Sequence, residues 1–185
     1  MGTLVDLQEA RAEMMRLLAP SGLRQEHVRG VARAAEAASD MLDVSPLVVA
    51  AAWLHDIGYA PALAHTGLHG LDGARYLRGV RANGRLCRLV ANHTHAWVEA
   101  EARGLADVLA EEFPAEYSLT ADVLTYADLT TGPDGEPVTV EERIAEILRR
   151  YPPTDVVHRS IDQAASELVA TVRRVEAAFA EAQPR

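Results

Sequence analysis

The sequence predicts an all-α fold, and three observations support this prediction. Apolar residues recur at helical spacing along most of the chain, and no segment alternates with period two for long enough to indicate a β-strand. Proline and glycine clusters interrupt these stripes where helices should end. Every residue from Leu47 to Leu54 is apolar, which predicts a helix buried on all sides.

The stripes and breaks give the order of the helices. The helices expected in the first two thirds of the chain cover residues 4–18, 23–42, 47–54, about 70–81, about 85–93, 98–109 and 119–128. Ser45 is the expected N-cap of the buried helix, with Pro46 at its first position. Residues 60–68 are expected to form a loop, because Pro61 and Gly67 disfavour a helix there.

The C-terminal third predicts two more helices. Thr139 and Glu142 form a capping-box pattern that opens a helix ending at Tyr151. The last helix carries an apolar seam of near-heptad period: Val157, Ile161, Ala164, Leu168, Val172, Val175 and Phe179. Such a seam predicts packing on its own domain, and a homodimer formed through this face is the alternative.

Composition limits the class of protein. No repeat or linker divides the 185 residues, so we expect one domain with a core at about 21–132, on which the N-terminal helix and the C-terminal helices at 139–181 pack. The apolar runs are too short to span a membrane and the N-terminus lacks a signal pattern, so a cytoplasmic location is expected. Cys87 is the only cysteine, which excludes an intrachain disulfide.

The net charge of the chain indicates which classes of molecule it is expected to bind. The net charge of −9 argues against nucleic-acid binding and favours a small-molecule substrate. All 18 basic residues are arginine. Any phosphate clamp must therefore use arginine, a metal ion or backbone amides.

The strongest chemical signal directly follows the buried helix. His55 and Asp56 come next, and Gly58 and Pro61 end the segment. A carboxylate at the end of a buried helix is costly unless it is paired or binds a metal. The adjacent histidine favours the metal, with a purely structural pair as the alternative.

Six potential metal ligands lie near helix ends beside apolar faces. They are His27, His55, Asp56, His69, His93 and Asp128. The segments around them, QEHVRGVA, WLHDIGY, LHGLDGARYL, VANHTH and YADLTTG, resemble in order those of the HD-domain superfamily of metal-dependent phosphohydrolases. The resemblance covers about residues 26–132 and implies an HD-type helical bundle with a buried central His-Asp helix.

The resemblance also implies a division of the ligands. His27, His55, Asp56 and Asp128 would hold one ion, and Asp56 would bridge to a second ion completed by His69 and His93. Iron, manganese, cobalt and zinc suit such ligands. Asp56 would act in catalysis through a metal-bound hydroxide that attacks the phosphorus of a small phosphate ester, with nucleotides among the candidates. The alternative is a single metal, with His69 and His93 only lining the pocket.

The substrate pocket departs from the family pattern. Many members have lysine after the His-Asp-Ile-Gly run, whereas Tyr59 stands here. Arg24, Arg29 and Arg75 are the candidates to replace it. Thr131 is a further pocket candidate, and His95 is expected either at the surface or in the pocket. His65 and His158 are expected to be solvated.

Two other functions remain open at this point. A branch of the same superfamily uses the same six-ligand order for a di-iron centre that activates oxygen and cleaves a carbon bond. A third interpretation is a non-catalytic sensor that uses the metal only to fix its fold. The hydrolase ranks first as the commoner activity of the superfamily, and the six-ligand set disfavours a purely structural site.

Overall fold

The computed structural model describes residues 6–19 and 21–182, and it confirms the all-α prediction. The helices are α1 (Leu7–Leu17), α2 (Gly22–Leu42), α3 (Leu47–Leu54), α4 (His69–Gly79), α5 (Gly84–Asn92), α6 (Ala96–Ala102), α7 (Ala106–Glu112), α8 (Leu119–Leu129), α9 (Val140–Arg150) and α10 (Val156–Ala182). Short 3₁₀ turns follow α3 and α5 at Ile57–Tyr59 and His93–His95. Within the described ranges, the only β pairing is an isolated bridge between Thr131 and Pro137.

Helix α3 is the centre of the bundle, as its apolar sequence predicts. All of its residues are buried except Trp53, which is half-buried. Helices α1, α2, α5 and α8 pack around it. The side-chain cap predicted from Ser45 is wrong, because Pro46 occupies the position before the helix and no side chain caps it.

A close backbone approach fixes the turn after α3 against the start of α4. A Cβ atom on Gly58 would lie 1.9 Å from the carbonyl oxygen of His69 and 2.8 Å from the amide nitrogen of Gly73. Only glycine fits this position without moving backbone. Gly58 thus sets how closely the segment carrying Asp56 approaches His69.

Two boundaries differ from the sequence prediction. The stretch expected as one helix over 98–109 is divided into α6 and α7, because Gly104 adopts a left-handed conformation with a φ of +70°. At the N-terminus, α1 begins at Leu7, and the predicted start at residue 4 lies outside the described residues. Among the helices that the structure describes, none is long and apolar enough to cross a membrane.

The C-terminal helices cover one end of the bundle. The capping box of Thr139 and Glu142 is confirmed at the start of α9. Within the α10 seam, Ala164, Leu168, Val172 and Val175 are buried in the same chain, where α10 packs against α8 and α9. Val157 and Ile161, at the N-terminal end of the seam, line a cavity instead.

Candidate metal centre

Five segments bring the six predicted ligands together. His27 lies in the second turn of α2, His69 is the first residue of α4, and Asp128 is the penultimate residue of α8. The other three, His55, Asp56 and His93, directly follow α3 and α5. We call these six residues the ligand cluster. Five of them are buried, and His69 is partly exposed.

The distances divide the ligand cluster into three overlapping groups. In each group, one ligand atom per residue lies within 4.8 Å of the others. The groups are His27–His55–Asp56, His55–His93–Asp128 and Asp56–His69–His93. The third group is the set that the sequence analysis assigned to a second ion. Two neighbouring ion positions that share Asp56 are therefore compatible with this geometry.

Backbone carbonyls fix the tautomers of three histidines. The Nδ1 contacts run from His27 to Gly132 O (3.0 Å), from His55 to Ala52 O (2.8 Å) and from His93 to Val90 O (2.7 Å). A carbonyl oxygen can only accept, so each Nδ1 carries the proton. In the neutral form of each ring, the Nε2 atom therefore presents a lone pair to the ligand cluster.

Imidazole nitrogens lie against carboxylate oxygens at the centre of the ligand cluster. His27 Nε2 lies 3.1 Å from Asp128 Oδ1, and the Nε2 atoms of His55 and His69 each lie 3.5 Å from Asp56 Oδ1. His69 Nε2 also lies 3.0 Å from His93 Nε2, so one of these two nitrogens donates to the other. His55 Nε2 is buried without a hydrogen-bond partner. Acceptors placed against each other are unfavourable unless a proton or cation lies between them. The residues therefore fit divalent transition metal ions, for which imidazole and carboxylate are suitable ligands.

Electrostatics keeps both carboxylates ionised. Burial by itself would raise the pKa of Asp56, but His55 and the Arg24 guanidinium outweigh it and lower that pKa well below its usual range. Burial by itself would also raise the pKa of Asp128, but the neighbouring His27, His55 and Arg143 outweigh it and lower that pKa well below its usual range. Both groups are therefore available as anionic ligands at neutral pH.

Burial lowers the pKa of two histidines of the ligand cluster. Burial lowers the pKa of His55, and burial together with the neighbouring His93 lowers the pKa of His69 to about 3. Neutral rings with free Nε2 lone pairs are the form that binds metal.

Two left-handed residues shape the turn after His93. Thr94 and His95 have φ angles of 51° and 54°. Such angles are costly in residues other than glycine and are common at functional sites. The turn places the Thr94 hydroxyl where it donates to Asp128 Oδ2. It also places His95 against α10, where its Nε2 lies 3.3 Å from Thr171 Oγ1.

Arg24 is the arginine that reaches the ligand cluster. Its Nη1 donates to Asp56 Oδ2 at 2.6 Å, and its guanidinium lies 3.6 Å from the centre of the Tyr59 ring. Tyr59 in turn stacks on His69, with ring centres 4.2 Å apart. Burial raises the pKa of Tyr59 well above its usual value, so its hydroxyl stays protonated.

A cavity of about 90 Å³ opens beside the ligand cluster. One side consists of ligands with Arg24, Tyr59 and His95. The opposite side comes from α9, α10 and their connection, and we call it the C-terminal wall: Arg143, Arg150, Tyr151, Val157, Ser160 and Ile161. Arg143 is buried, and its Nη2 lies 3.9 Å from Asp128 Oδ1.

The sequence analysis missed Arg143 and Ser160. A signal for both was present, because each lies on the apolar stripe of its helix. Arg143 is flanked by Val140 and Ile144, which are buried, and Ser160 by Val157 and Ile161. A polar residue on such a stripe faces the protein interior and needs a partner there.

Two predicted pocket residues do not line this cavity. The Arg75 guanidinium forms an ion pair with Glu112, Nη2 donating at 2.5 Å, which holds it on the α4 surface. Thr131 is buried and donates its hydroxyl to Ala127 O at 2.7 Å, one helical turn earlier. Both assignments to the substrate pocket are corrected by these contacts.

The remaining candidates divide between pocket and surface. Arg29 pairs with Glu26 and does not line the cavity. His65 is exposed, as predicted. His158 is not simply solvated, because its Nδ1 donates to Tyr151 O at 2.9 Å and thereby ties α10 to the end of α9.

Comparison with known proteins gives one match. The family model described as HD domain matches residues 24–151, which include the whole ligand cluster and the start of the C-terminal wall. No curated protein and no solved structure matches the chain.

Proposed function

This chain belongs to the HD-domain family, and we propose on that premise that it is a metal-dependent phosphohydrolase of small phosphate esters. The observation that supports the proposal most strongly is the arrangement of lone pairs in the ligand cluster. The Nε2 atoms of His27 and His55 lie against the carboxylates of Asp128 and Asp56, and His55 Nε2 is buried without a hydrogen-bond partner, so acceptors repel each other when the rings are neutral. Bound cations remove that repulsion.

We assign His27, His55, Asp56 and Asp128 to one ion, and Asp56, His69 and His93 to a second. Bound there, the ions would supply Lewis acidity, an activated water and stabilisation of negative charge on phosphate oxygens. Asp56 suits the bridging position, because its Oδ1 lies 3.5 Å from both His55 Nε2 and His69 Nε2.

The chain itself would position the substrate. Arg24 supplies a cation that cannot lose its proton, and Tyr59 holds its guanidinium over the entrance to the ligand cluster. Asp56 fixes the guanidinium from the other side through Oδ2. Arg24 thus takes the place of the lysine that many members carry after the His-Asp-Ile-Gly run, and we assign it to the phosphate oxygens.

The balance of charge favours an anionic substrate. In the metal-free protein, Arg24 and Arg143 face the carboxylates of Asp56 and Asp128, so these charges compensate each other. Two divalent ions would then make the site strongly positive. Such a site attracts phosphate groups in preference to neutral molecules.

The direct test is phosphate release from a panel of small phosphate esters and nucleotides. Protein loaded with Mn²⁺, Co²⁺ or Fe²⁺ should release phosphate from at least one of them, and chelator treatment should abolish the activity. No release across the panel with any ion would contradict the hydrolase. Iron-dependent oxygen uptake that requires the substrate would instead indicate the di-iron oxygenase.

A variant pair tests the role of Arg24. Arg24→Gln should lower kcat/KM by about 10- to 100-fold, because it removes a charged hydrogen bond to the phosphate. Arg29→Gln, one helical turn away and paired with Glu26, should leave kcat/KM unchanged. Equal effects of the two substitutions would remove Arg24 from the substrate site.

A further inference from the structure

Unpaired buried polar atoms are concentrated around one cavity. Within residues 6–19 and 21–182, four buried side-chain atoms lack a hydrogen-bond partner: His55 Nε2, His95 Nδ1, Arg143 Nε and Ser160 Oγ. The ligand cluster accounts for the first. His95 Nδ1 lies 3.4 Å from Glu167 Oε2, which can serve as its partner. The remaining two atoms, Arg143 Nε and Ser160 Oγ, belong to residues that line the cavity beside the ligand cluster. Buried polar groups are nearly always paired, so this concentration indicates a ligand that pairs them.

Arg143 is held in a fixed orientation by two carboxylates. Its Nη1 donates to Glu146 at 2.6 Å, and its Nη2 lies 3.9 Å from Asp128 Oδ1. The side chain is almost completely buried, with 7% of its residue surface exposed. The Nε–H group of Arg143 is buried and has no acceptor.

Ser160 supplies a second free donor from the next helix. It is 5% exposed and lies on the same face of α10 as Val157, Ile161 and Ala164, which also line the cavity. Three other buried hydroxyls donate to backbone carbonyls: those of Ser39, Thr131 and Thr171. The hydroxyl of Ser160 has none.

These features indicate the chemistry of the ligand group that would pair with the two donors. Two donors on one wall require an acceptor oxygen. When Asp128 binds a metal ion, Arg143 and Arg150 have only the carboxylate of Glu146 between them, so the wall carries a net positive charge and favours an oxygen that carries negative charge. The apolar side chains of Val157 and Ile161 favour a short apolar spacer. The cavity of about 90 Å³ is well below the range of pockets that enclose drug-sized ligands, so the group is compact.

We infer that Arg143 and Ser160 form a subsite for a negatively charged oxygen on the organic part of the substrate, opposite the end that the ligand cluster binds. The inference rests on the proposed function, because it takes the substrate to be a small phosphate ester. It narrows that class to compact esters whose organic part carries a second anionic group, either a carboxylate or another phosphate.

Equilibrium binding tests the subsite without requiring turnover. Titration calorimetry of the Mn²⁺-loaded full chain would compare three non-hydrolysable ligands: phosphonoacetate, methylenediphosphonate and ethylphosphonate. At least one of the two ligands with a second acidic group should bind about tenfold more tightly than ethylphosphonate. The stronger of the two identifies the second group as carboxylate-like or phosphate-like.

Substitutions separate the subsite from chelation by the metal alone. Ser160→Ala and Arg143→Gln should each reduce the preference over ethylphosphonate by about tenfold, whereas Ser39→Ala should retain it. Ser160→Ala removes an unpaired hydroxyl, so it should fold with an undiminished Tm. Equal binding of the three ligands, or a preference that survives both substitutions, would overturn the subsite.

The two proposals can fail separately. A preference that depends on Ser160, found in a protein that releases no phosphate from any ester, supports the subsite and contradicts the hydrolase. Phosphate release with no dependence of ligand preference on Ser160 or Arg143 supports the hydrolase and overturns the subsite.

Discussion

The ligand cluster and the C-terminal wall line the same cavity and differ in their unpaired polar atoms: the cluster has an unpaired acceptor and the wall has unpaired donors. In the ligand cluster, Nε2 atoms lie against carboxylate oxygens, and His55 Nε2 is buried without a hydrogen-bond partner. The wall contains donors, Arg143 Nε and Ser160 Oγ, that lack acceptors. A surplus of acceptors is relieved by cations and a surplus of donors by anions. This difference supports both proposals: metal ions in the ligand cluster, and an anionic ligand between the cluster and the wall.

The largest effect is expected from removing the carboxylate of Asp56, which two of the three ligand groups share. Asp56→Asn should weaken metal binding by at least about 100-fold, because loss of partners behind the ligands alone typically costs 10- to 100-fold. It should also abolish hydrolytic activity. Metal content after dialysis, measured by elemental analysis, checks the expectation.

His95→Ala is the matched control, since His95 lines the same cavity but is not in the three ligand groups. It should retain nearly all of the metal. Metal loss in His95→Ala with retention in Asp56→Asn would invert the assignment of ligand and pocket residue.

The second test concerns the turn after α3, where Gly58 packs against the backbone of α4. Gly58→Ala places a Cβ atom 1.9 Å from His69 O, where backbone must move, so it should lower the free energy of unfolding by about 2–3 kcal/mol. Gly79→Ala meets nothing within 4 Å and should raise that free energy by up to about 1 kcal/mol. Urea unfolding of both variants provides the measurement. Similar values for the two would show that the turn after α3 adapts easily.

The third test uses the pKa of His69. In the metal-free protein this pKa falls from 6.5 to about 3 on folding. Between these pH values the unfolded chain binds the proton and the folded chain does not, so stability is lost as the pH falls below 6.5. The loss contributed by His69 between pH 7 and pH 5 is about 2 kcal/mol.

Urea unfolding of chelator-treated protein at the two pH values measures this loss. His69→Gln should reduce the loss on acidification by about 2 kcal/mol. His65→Gln, which replaces an exposed histidine in the nearby loop, should leave the loss unchanged. The same acid sensitivity in wild type and His69→Gln would show that His69 is not held neutral by the fold.

The smallest expected change in stability concerns Ser160 in the C-terminal wall. Ser160→Ala removes a hydroxyl without a partner, so the free energy of unfolding should stay constant or rise by less than about 1 kcal/mol. Ser39→Ala removes a hydrogen bond to Val44 O and should cost about 1 kcal/mol. A clear loss of stability in Ser160→Ala would mean that the hydroxyl already has a partner.

Much of the fold and of the ligand cluster could be predicted because their signals are local. The apolar run of α3 predicted its burial, and histidines and carboxylates near helix ends predicted the cluster in chain order. The break at Gly104 was missed, because a single glycine inside a helical pattern does not show whether it will adopt a positive φ.

The pocket was predicted less well than the ligands, because arginine side chains are long and sequence proximity does not show where they end. Arg24 and Arg75 both lie near ligands in sequence. One reaches Asp56, whereas the other is held away by Glu112, 37 residues along the chain. The packing of the helices determines which arginine forms an ion pair with which carboxylate.

The sequence by itself determined the class of this protein: a helical bundle around one apolar helix, with ligands whose types suit divalent metals. It could do so because helical periodicity and ligand chemistry are properties of short segments. The tertiary structure alone decided that Gly132 O orients the His27 ring, and that Arg143 and Ser160 line a cavity beside the ligands. Those facts depend on the packing of α9 and α10 against α2 and α8, which brings together atoms far apart in the chain.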